Sequence, residues 1–324
     1  MFGLEFEKPI IELEEKIEEL RAFQEKHSER QSKVNFSSEI LKLEEKLESL
    51  KKDIYANINP WQRVQLARHP RRPYALDYIN MLAEEFIEIH GDRLFSDDKA
   101  MVGGLIRIDG KKFMVMGHQK GRDTQENIYR NFGCAHPEGF RKALRLMQMA
   151  EKFKLPILVF IDTPGAYPGI GAEERGQAQA IAWNLREMVK IKTPIVVFVI
   201  GEGGSGGALG IGVGDRIFVL ENSYYSVISP EGCAAILWKS STKADEAAKA
   251  LKLTASDLLR FGIIDGIISE PLGGAHRNPE QTANNIKETL LKSLAELTKF
   301  PADELINLRY DKFRKMGMVS EQTV

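Results

Sequence analysis

The chain has 324 residues, of which 43% are hydrophobic and 28% are charged, and its formal net charge is -1. This composition is typical of a globular protein, and the balanced charge provides no global field that would attract nucleic acid. Two cysteines are too few for a four-thiolate zinc site or a disulfide framework, and we see neither a membrane span nor a signal peptide, so we expect a cytoplasmic protein.

Residues 1–56 are rich in Glu, Lys and Leu and poor in Gly. Their apolar residues step by three and four in two runs, which are Ile10, Leu13, Ile17 and Leu20, and then Ile40, Leu43, Leu47, Leu50 and Ile54. Each run predicts a helix with a narrow apolar seam, and the polar stretch 27–38 separates the two. We therefore predict a helical hairpin over 1–56 that serves as an interface element, with a bare charged arm as the alternative, and a main domain over 57–324.

A basic stretch follows, with Arg63, Arg68, His69, Arg71 and Arg72 interrupted by prolines. It could bind a phosphate group, but a solvated or interface loop is the favoured interpretation. A helix is then predicted over Ala75–Ile89, from the spacing of its apolar residues.

Short strands and helices alternate from residue 100 onward. Apolar runs at 101–108 and 112–117 flank Asp109-Gly110, which predicts a β-hairpin. Further helices are predicted at 140–153 and 278–298, and after the capping residues Ser229 and Thr254.

Two segments repeat each other. KLPILVFI at 154–161 and KTPIVVFV at 192–199 match position by position, and each follows a predicted helix, at 140–153 and 177–189. Each is a continuous apolar run, as expected of a strand that is buried on both faces, and each leads into a Gly-rich turn. We therefore predict an α/β fold in which one unit is used at least twice.

Much of the glycine in the chain (27 residues) falls in these turns, most densely in Gly201–Ala208. One interpretation is a dinucleotide-binding loop, with Glu221 as the ribose-binding acid, although residues 207–214 leave little room for a crossover helix. A second is a nucleophile elbow at Ser205, with Asp265 and His276 completing a triad. A third is an oxyanion cradle made of backbone N–H groups, which requires no side-chain chemistry.

Longer motifs carry a family resemblance. GHQKGRD at 117–123, IDTPGAYPGIGAEERGQAQAIAWNL at 161–185, IGEGGSGGALGIGVGD at 200–215 and YSVISPEGCAAILWK at 225–239 resemble the carboxyltransferase alpha subunits of bacterial acetyl-CoA carboxylase. The resemblance runs over nearly the whole chain. It implies a crotonase-like spiral of ββα units with the N-terminal helical hairpin, and it accounts for the repeated strands.

The resemblance also implies partners and cofactors. The chain would be half of an α2β2 heterotetramer, whose beta subunit carries a zinc ribbon while this chain holds no metal. The complex would move a carboxyl group from biotin, attached to the biotin carboxyl carrier protein, to acetyl-CoA. The product would be malonyl-CoA for fatty acid biosynthesis, and ATP would be used by the separate biotin carboxylase.

The resemblance assigns a negatively charged ureido oxygen of biotin to the alpha subunit. The backbone N–H groups of Gly206 and Gly207 are the expected donors, on a turn shaped by Gly203, Gly204 and Ser205. Other residues with a predicted substrate-binding role are Tyr167 and Pro168 as lining of the biotin pocket, and Lys120 and Arg122 as partners of a substrate carboxylate.

Alternatives stay open at this point. Tyr167 and Pro168 could form a merely structural turn, and Lys120 and Arg122 a surface pair. Another acyl-CoA such as propionyl-CoA could be the acceptor. A serine hydrolase, a dinucleotide-binding enzyme, a hydratase that acts alone and a binding-only protein are the remaining interpretations.

Overall fold

The computed structural model describes residues 3–28 and 36–317, which form a mixed sheet with helices on both faces. Its strands are β1 (Glu85–Glu88), β2 (Met101–Ile108), β3 (Lys111–His118), β4 (Ile157–Thr163), β5 (Ile195–Gly204), β6 (Arg216–Leu220), β7 (Tyr224–Ser226) and β8 (Gly266–Ile268). They are ordered β1-β2-β3-β4-β5-β6-β8, and β7 pairs with the end of β5. The strands from β3 to β8 are parallel, whereas β1, β2 and β3 are antiparallel to one another.

The helices cover both faces of the sheet. Along the chain they are α1 (Lys8–Ser28), α2 (Ser37–Ala56), α3 (Pro60–Ala67), α4 (Ala75–Leu82), α5 (Thr124–Tyr129), α6 (Pro137–Lys152), α7 (Ile170–Glu174), α8 (Gln177–Met188), α9 (Ser205–Leu209), α10 (Pro230–Trp238), α11 (Ala244–Leu251), α12 (Ala255–Arg260), α13 (Pro279–Leu297) and α14 (Ala302–Arg314). Residues from α6 and α8 share one apolar core with the sheet, and residues from α4 and α13 share the other. No helix in these described ranges is long and apolar enough to cross a membrane.

The predicted β-hairpin and the two repeated strands are confirmed. Asp109 and Gly110 both have positive φ, 46° and 70°, as a tight two-residue turn between β2 and β3 requires. In β4 and β5, Ile157 pairs with Ile195 and Phe160 with Phe198, so equivalent positions of the two repeated segments lie side by side. Both strands are buried along their whole length, which explains their continuous apolar sequence.

The predicted starts of three later helices are also confirmed. Ser229, Thr254 and Asn278 cap α10, α12 and α13, and each side chain accepts a hydrogen bond from a backbone N–H group in the first turn.

The helix predicted over Ala75–Ile89 is wrong in its second half. Helix α4 ends at Leu82, Ala83 is extended, and the chain continues as the edge strand β1. Phe86 pairs with Ile106 on β2, and the N–H group of Ile89 donates to the carbonyl oxygen of Gly103. Pairing with a distant strand therefore overrides the helical spacing of the apolar residues.

Helices α1 and α2 lie against each other, as the two apolar seams predict. Ile10, Ile17 and Ile40 are buried, and the connection at 29–35 lies outside the described residues. The pair is attached to the main body by Arg277, whose guanidinium forms an ion pair with Glu14 at 3.1 Å. The interface role of residues 1–56 stays a prediction.

Two arginines of the basic stretch, Arg68 and Arg72, form ion pairs within the chain, so the stretch is not a fully solvated loop. Arg72 is buried, and its guanidinium binds the Glu270 carboxylate at 2.5 Å and the Ile200 carbonyl oxygen at 2.7 Å. Arg68 binds Glu202 at 2.5 Å. The buried Arg72 and the half-buried Arg68 attach the stretch to the sheet, because a charge removed from water requires a partner.

Candidate functional site

The ends of β3, β4 and β5 meet at one edge of the sheet. In open α/β sheets ligands bind outside the carboxyl ends of the parallel strands, so this edge is the place to look for a site. Here β5 runs through Gly203, which pairs with Thr163 on β4 and Tyr225 on β7. Helix α9 begins immediately afterwards, at Ser205.

The glycines of this turn differ in how much space a side chain would have. A Cβ atom at Gly204 would overlap the backbone of Pro164, and one at Gly207 would overlap the backbone of Gly165 and Ala166. A Cβ atom at Gly206 would lie 3.5 Å from the Ile181 side chain, which is ordinary contact. Packing therefore requires glycine at 204 and 207, whereas it leaves room for a side chain at Gly206.

The turn presents backbone donors. Gly206 and Gly207 lie in the first turn of α9, where N–H groups have no partner within the helix. Ser205, just before them, is exposed and has a positive φ of 52°, an unfavourable conformation for a residue with a side chain. This strand-to-helix turn can offer two neighbouring N–H groups to one oxygen atom.

The two competing interpretations of the glycine run are not supported. Asp265 accepts hydrogen bonds from the Ile217 N–H group and from Lys312. Both ring nitrogens of His276 lack a hydrogen-bond partner among the described residues, so His276 forms no triad with Ser205 and Asp265. The dinucleotide interpretation requires a long crossover helix after β5, but α9 ends at Leu209.

A buried cluster of charges lies beside the glycine run. The Lys120 Nζ atom binds Asp162 Oδ1 and Glu202 Oε2, each at 2.7 Å. Asp162 Oδ1 also accepts the N–H group of Glu202 at 2.9 Å. One lysine thus joins the ends of β3, β4 and β5, and one carboxylate holds the backbone directly before the glycines.

The cluster continues through Glu202 on the other side. Glu202 Oε1 binds the Arg68 guanidinium and also accepts a hydrogen bond from the Tyr224 hydroxyl at 2.7 Å. Burial favours the neutral acid, but the charges of Lys120 and Arg68 outweigh it and lower the pKa of Glu202 to about 2. At neutral pH Glu202 is therefore an anion held between two cations.

Sequence reasoning missed this cluster. Asp162 and Glu202 come at the ends of the two repeated strands, so their placement after buried runs could have signalled a shared edge. The partner of both, Lys120, lies 82 residues before Glu202, and no local pattern connects them.

Lys120 and Arg122 occupy different settings. The Lys120 side chain is only 12% exposed, so it is not half of a surface pair. Arg122 is partly exposed, forms an ion pair with Asp77, donates to the Pro70 and Arg72 carbonyl oxygens, and covers the Tyr74 ring at 4.1 Å. Both residues line a cavity of about 360 Å³ at the strand ends, together with Glu202, Pro164, Phe132 and others.

The loop after β4 forms the neighbouring part of the rim. The N–H group of Tyr167 donates to the Ala135 carbonyl oxygen at 3.0 Å, and its ring stacks on His136 with centroids 4.0 Å apart. Pro168 is exposed. Gly165 in the same loop packs against Gly207, so the structure brings this loop and the glycine run together.

Comparison with known proteins identifies the family. A family model described as acetyl co-enzyme A carboxylase carboxyltransferase-like matches residues 3–317. The chain belongs to this family. It is 61% identical over 315 residues to the acetyl-coenzyme A carboxylase carboxyl transferase subunit alpha of Fusobacterium nucleatum, covering 97% of this chain and 99% of that one. It is 57% identical over 320 residues to the protein of the same name from Geobacter metallireducens, covering 99% of each.

Solved structures agree on the fold. The beta subunit of Pseudomonas aeruginosa geranyl-CoA carboxylase superposes with a TM-score of 0.55 at 18% identity, over 74% of this chain and 45% of that chain. A Pseudomonas malonate decarboxylase hetero-tetramer in complex with coenzyme A superposes with a TM-score of 0.53 at 16% identity, over 65% of this chain and 84% of that chain. The crotonase-like fold expected for the family is thereby confirmed.

Proposed function

We propose that the chain is the carboxyltransferase alpha subunit of acetyl-CoA carboxylase. With its beta subunit it transfers a carboxyl group from biotin on the carrier protein to acetyl-CoA and forms malonyl-CoA for fatty acid biosynthesis. The identity of 61% over 97% of the chain to a relative of that name is the observation that carries this proposal. The N–H groups in the first turn of α9, which have no partner within that helix, support it, because acyl transfer chemistry needs donors for a developing negative oxygen.

The feature of this chain that suits the ureido group of biotin is the pair of neighbouring backbone N–H groups at the start of α9, which can donate to one oxygen atom. When bound, carboxybiotin supplies the carboxyl group and a ureido oxygen that becomes negatively charged. The N–H groups of Gly206 and Gly207 donate to that oxygen, and Gly203 and Gly204 shape the turn by packing closely against Tyr225 and Pro164. Loss of one such donor typically costs about 10²–10³ in rate.

The side chains around the turn have supporting roles in this proposal. Tyr167 and Pro168 line the biotin pocket, and Ser205 shapes the turn without acting as a nucleophile. Lys120 is buried between two carboxylates, so its charge holds the strand ends and contributes to the field at the cavity. Arg122, which is partly exposed in the same cavity, is the cation placed to meet a substrate carboxylate.

The partners follow from the same proposal. The assembly is an α2β2 heterotetramer in the cytoplasm, and the beta subunit holds the zinc ribbon. The biotin carboxyl carrier protein delivers biotin from the separate biotin carboxylase, which uses the ATP.

Reconstitution tests the proposed function. The chain is purified alone and together with a zinc-ribbon beta subunit, and malonyl-CoA decarboxylation is measured with free biotin. We expect no activity from either subunit alone and activity from the pair. Activity of this chain alone would contradict the proposal. Comparing malonyl-CoA with methylmalonyl-CoA as the carboxyl donor in this assay would determine whether acetyl-CoA or propionyl-CoA is the acceptor.

A further inference from the structure

A second cavity shares no lining residue with the cavity at the strand ends. Its volume is about 500 Å³, within the range of about 300–1,000 Å³ that is common for small-molecule sites. Helices α6 and α8 and the loop at 91–96 surround it. The lining residues used below are Asp92, Arg141, Arg145, Arg175, Gln179 and Trp183.

Two of the three arginines in the lining are neutralised within the chain. The Asp92 carboxylate binds Arg141 at 2.8 Å, and its other oxygen accepts backbone N–H groups of the loop. Glu138, which is buried, binds Arg141 at 3.0 Å and Arg175 at 2.7 Å. Within the described ranges, these two acids form ion pairs with Arg141 and Arg175 and not with the third arginine, Arg145.

Arg145 is that third cation. Its guanidinium donates only to carbonyl oxygens, to Gly91 at 2.8 Å and to His90 at 3.1 Å. Among residues 3–28 and 36–317, no carboxylate lies within ion-pair distance of it, and the Nη1 atom has no described hydrogen bond. Burial and the neighbouring charge of Arg93 lower the pKa of Arg145, and together they outweigh the nearby carboxylates of Asp92 and Asp97, which raise it.

The remaining walls suit a small anion. Helix α8 begins at Gln177 after Gly176, no side chain caps its first turn, and Gly176 and Gln179 line the cavity. Gln179 is exposed in the same turn, and the partly exposed Trp183 indole closes the side. An anion here would restore the charge balance that Arg145 leaves open.

We propose that this cavity binds the phosphate or diphosphate group of a small metabolite, with Arg145 as its principal ligand. The site is separate from the glycine run, so a ligand there would act on the protein from outside the proposed reaction centre. A phosphate group offers several acceptor oxygens to the guanidinium fork, to the α8 N–H groups and to the Gln179 amide.

Inorganic pyrophosphate is the probe, titrated into the full-length chain by calorimetry. We expect saturable one-site binding with a Kd below about 1 mM. Arg145→Gln should weaken it at least about tenfold, whereas Arg260→Gln, an exposed arginine paired with Asp257, should bind like the wild type. Absence of saturable binding would overturn the proposal.

Gln179→Glu is a second variant, because it adds an acid to the cavity without removing a described hydrogen bond. It should also weaken pyrophosphate binding about tenfold while leaving the thermal unfolding unchanged. Wild-type affinity in both variants would overturn the site, and tighter binding of succinate than of pyrophosphate would overturn the assignment to phosphate. None of these measurements depends on transferase activity, so failure here and failure of the proposed function are distinguishable.

Discussion

At the scale of single residues, the glycines of the run are not equivalent. Some are required by close packing of the backbone, whereas another leaves space beside the proposed ligand, and the sequence alone does not distinguish the two cases. Gly204 and Gly207 are required by close backbone contacts, whereas Gly206 has room for a methyl group. Gly206 is therefore the position at which a side chain would disturb the proposed ligand before it disturbs the fold.

We predict different outcomes for Gly206→Ala and Gly207→Ala. Gly206→Ala should fold with wild-type stability and assemble with the beta subunit, but lose about 10²-fold or more in turnover, because a methyl group covers the proposed donors. Gly207→Ala should be destabilised by about 1–3 kcal/mol, because its Cβ overlaps the Gly165 backbone. Thermal unfolding measures the stability of each variant, and turnover of the pair reconstituted with the beta subunit measures its activity. Ser205→Ala is the control and should keep most of the activity; loss of activity there would favour a hydrolase.

Local sequence predicts the glycine run better than the cluster beside it. Strand, turn and helix follow one another in consecutive residues, so their pattern can be seen in one segment. The Lys120, Asp162 and Glu202 cluster depends on parallel strand pairing that brings distant segments to one edge. Its members look like ordinary surface charges until the sheet order is known.

At the scale of elements, the same contrast explains which predictions succeeded. The β2–β3 hairpin and the capped helices are determined within short segments, and the sequence predicted them. Strand β1 forms because β2 offers it a partner, and the helical spacing of Phe86 and Ile89 cannot indicate that distant pairing. Helix α14 in the tail could not be assigned from sequence, and there Arg309 is buried against Asp215 at 2.8 Å.

The attachment of the N-terminal hairpin contains a second element-scale feature, a stacked histidine pair. The rings of His69 and His276 lie 3.8 Å apart near Arg277, which binds Glu14 on α1. Burial first, and then neighbouring cations such as Arg71 for His69, lower the pKa of His69 to about 4 and that of His276 to about 2. Both rings are therefore neutral in the folded chain.

We predict that the free energy of unfolding falls as the pH drops from about 6.5 toward 4. Below about 6.5 the unfolded chain binds protons on both imidazoles while the folded chain does not, so acid favours unfolding. His276→Phe keeps the stacked ring and removes one titrating group, so its stability should depend less on pH in this window. Denaturant unfolding at several pH values tests this, with His90→Phe at a more exposed position as the control. An unchanged slope in His276→Phe would contradict the assignment.

At the scale of the whole molecule, exposed apolar side chains lie next to the candidate site. On α10, Ile236 and Leu237 are 62% and 63% exposed, and Trp238 follows them. The same helix is joined to the charge cluster through Glu231, which binds Arg68 at 2.5 Å. Apolar surface of this kind marks an interaction site, and a subunit that completes the reaction centre has to sit beside it.

We therefore predict that α10 contacts the beta subunit. The double variant Ile236→Asp and Leu237→Asp should weaken assembly about tenfold or more, because it places two charges in an apolar contact, while unfolding of the isolated chain stays unchanged. Sedimentation of mixtures with the beta subunit measures the affinity. Phe153→Asp is the matched control, since Phe153 is 61% exposed but follows α6 at the opposite edge of the sheet. Wild-type assembly of the double variant would place the subunit contact elsewhere, whereas loss in both variants would indicate a general effect of added charge.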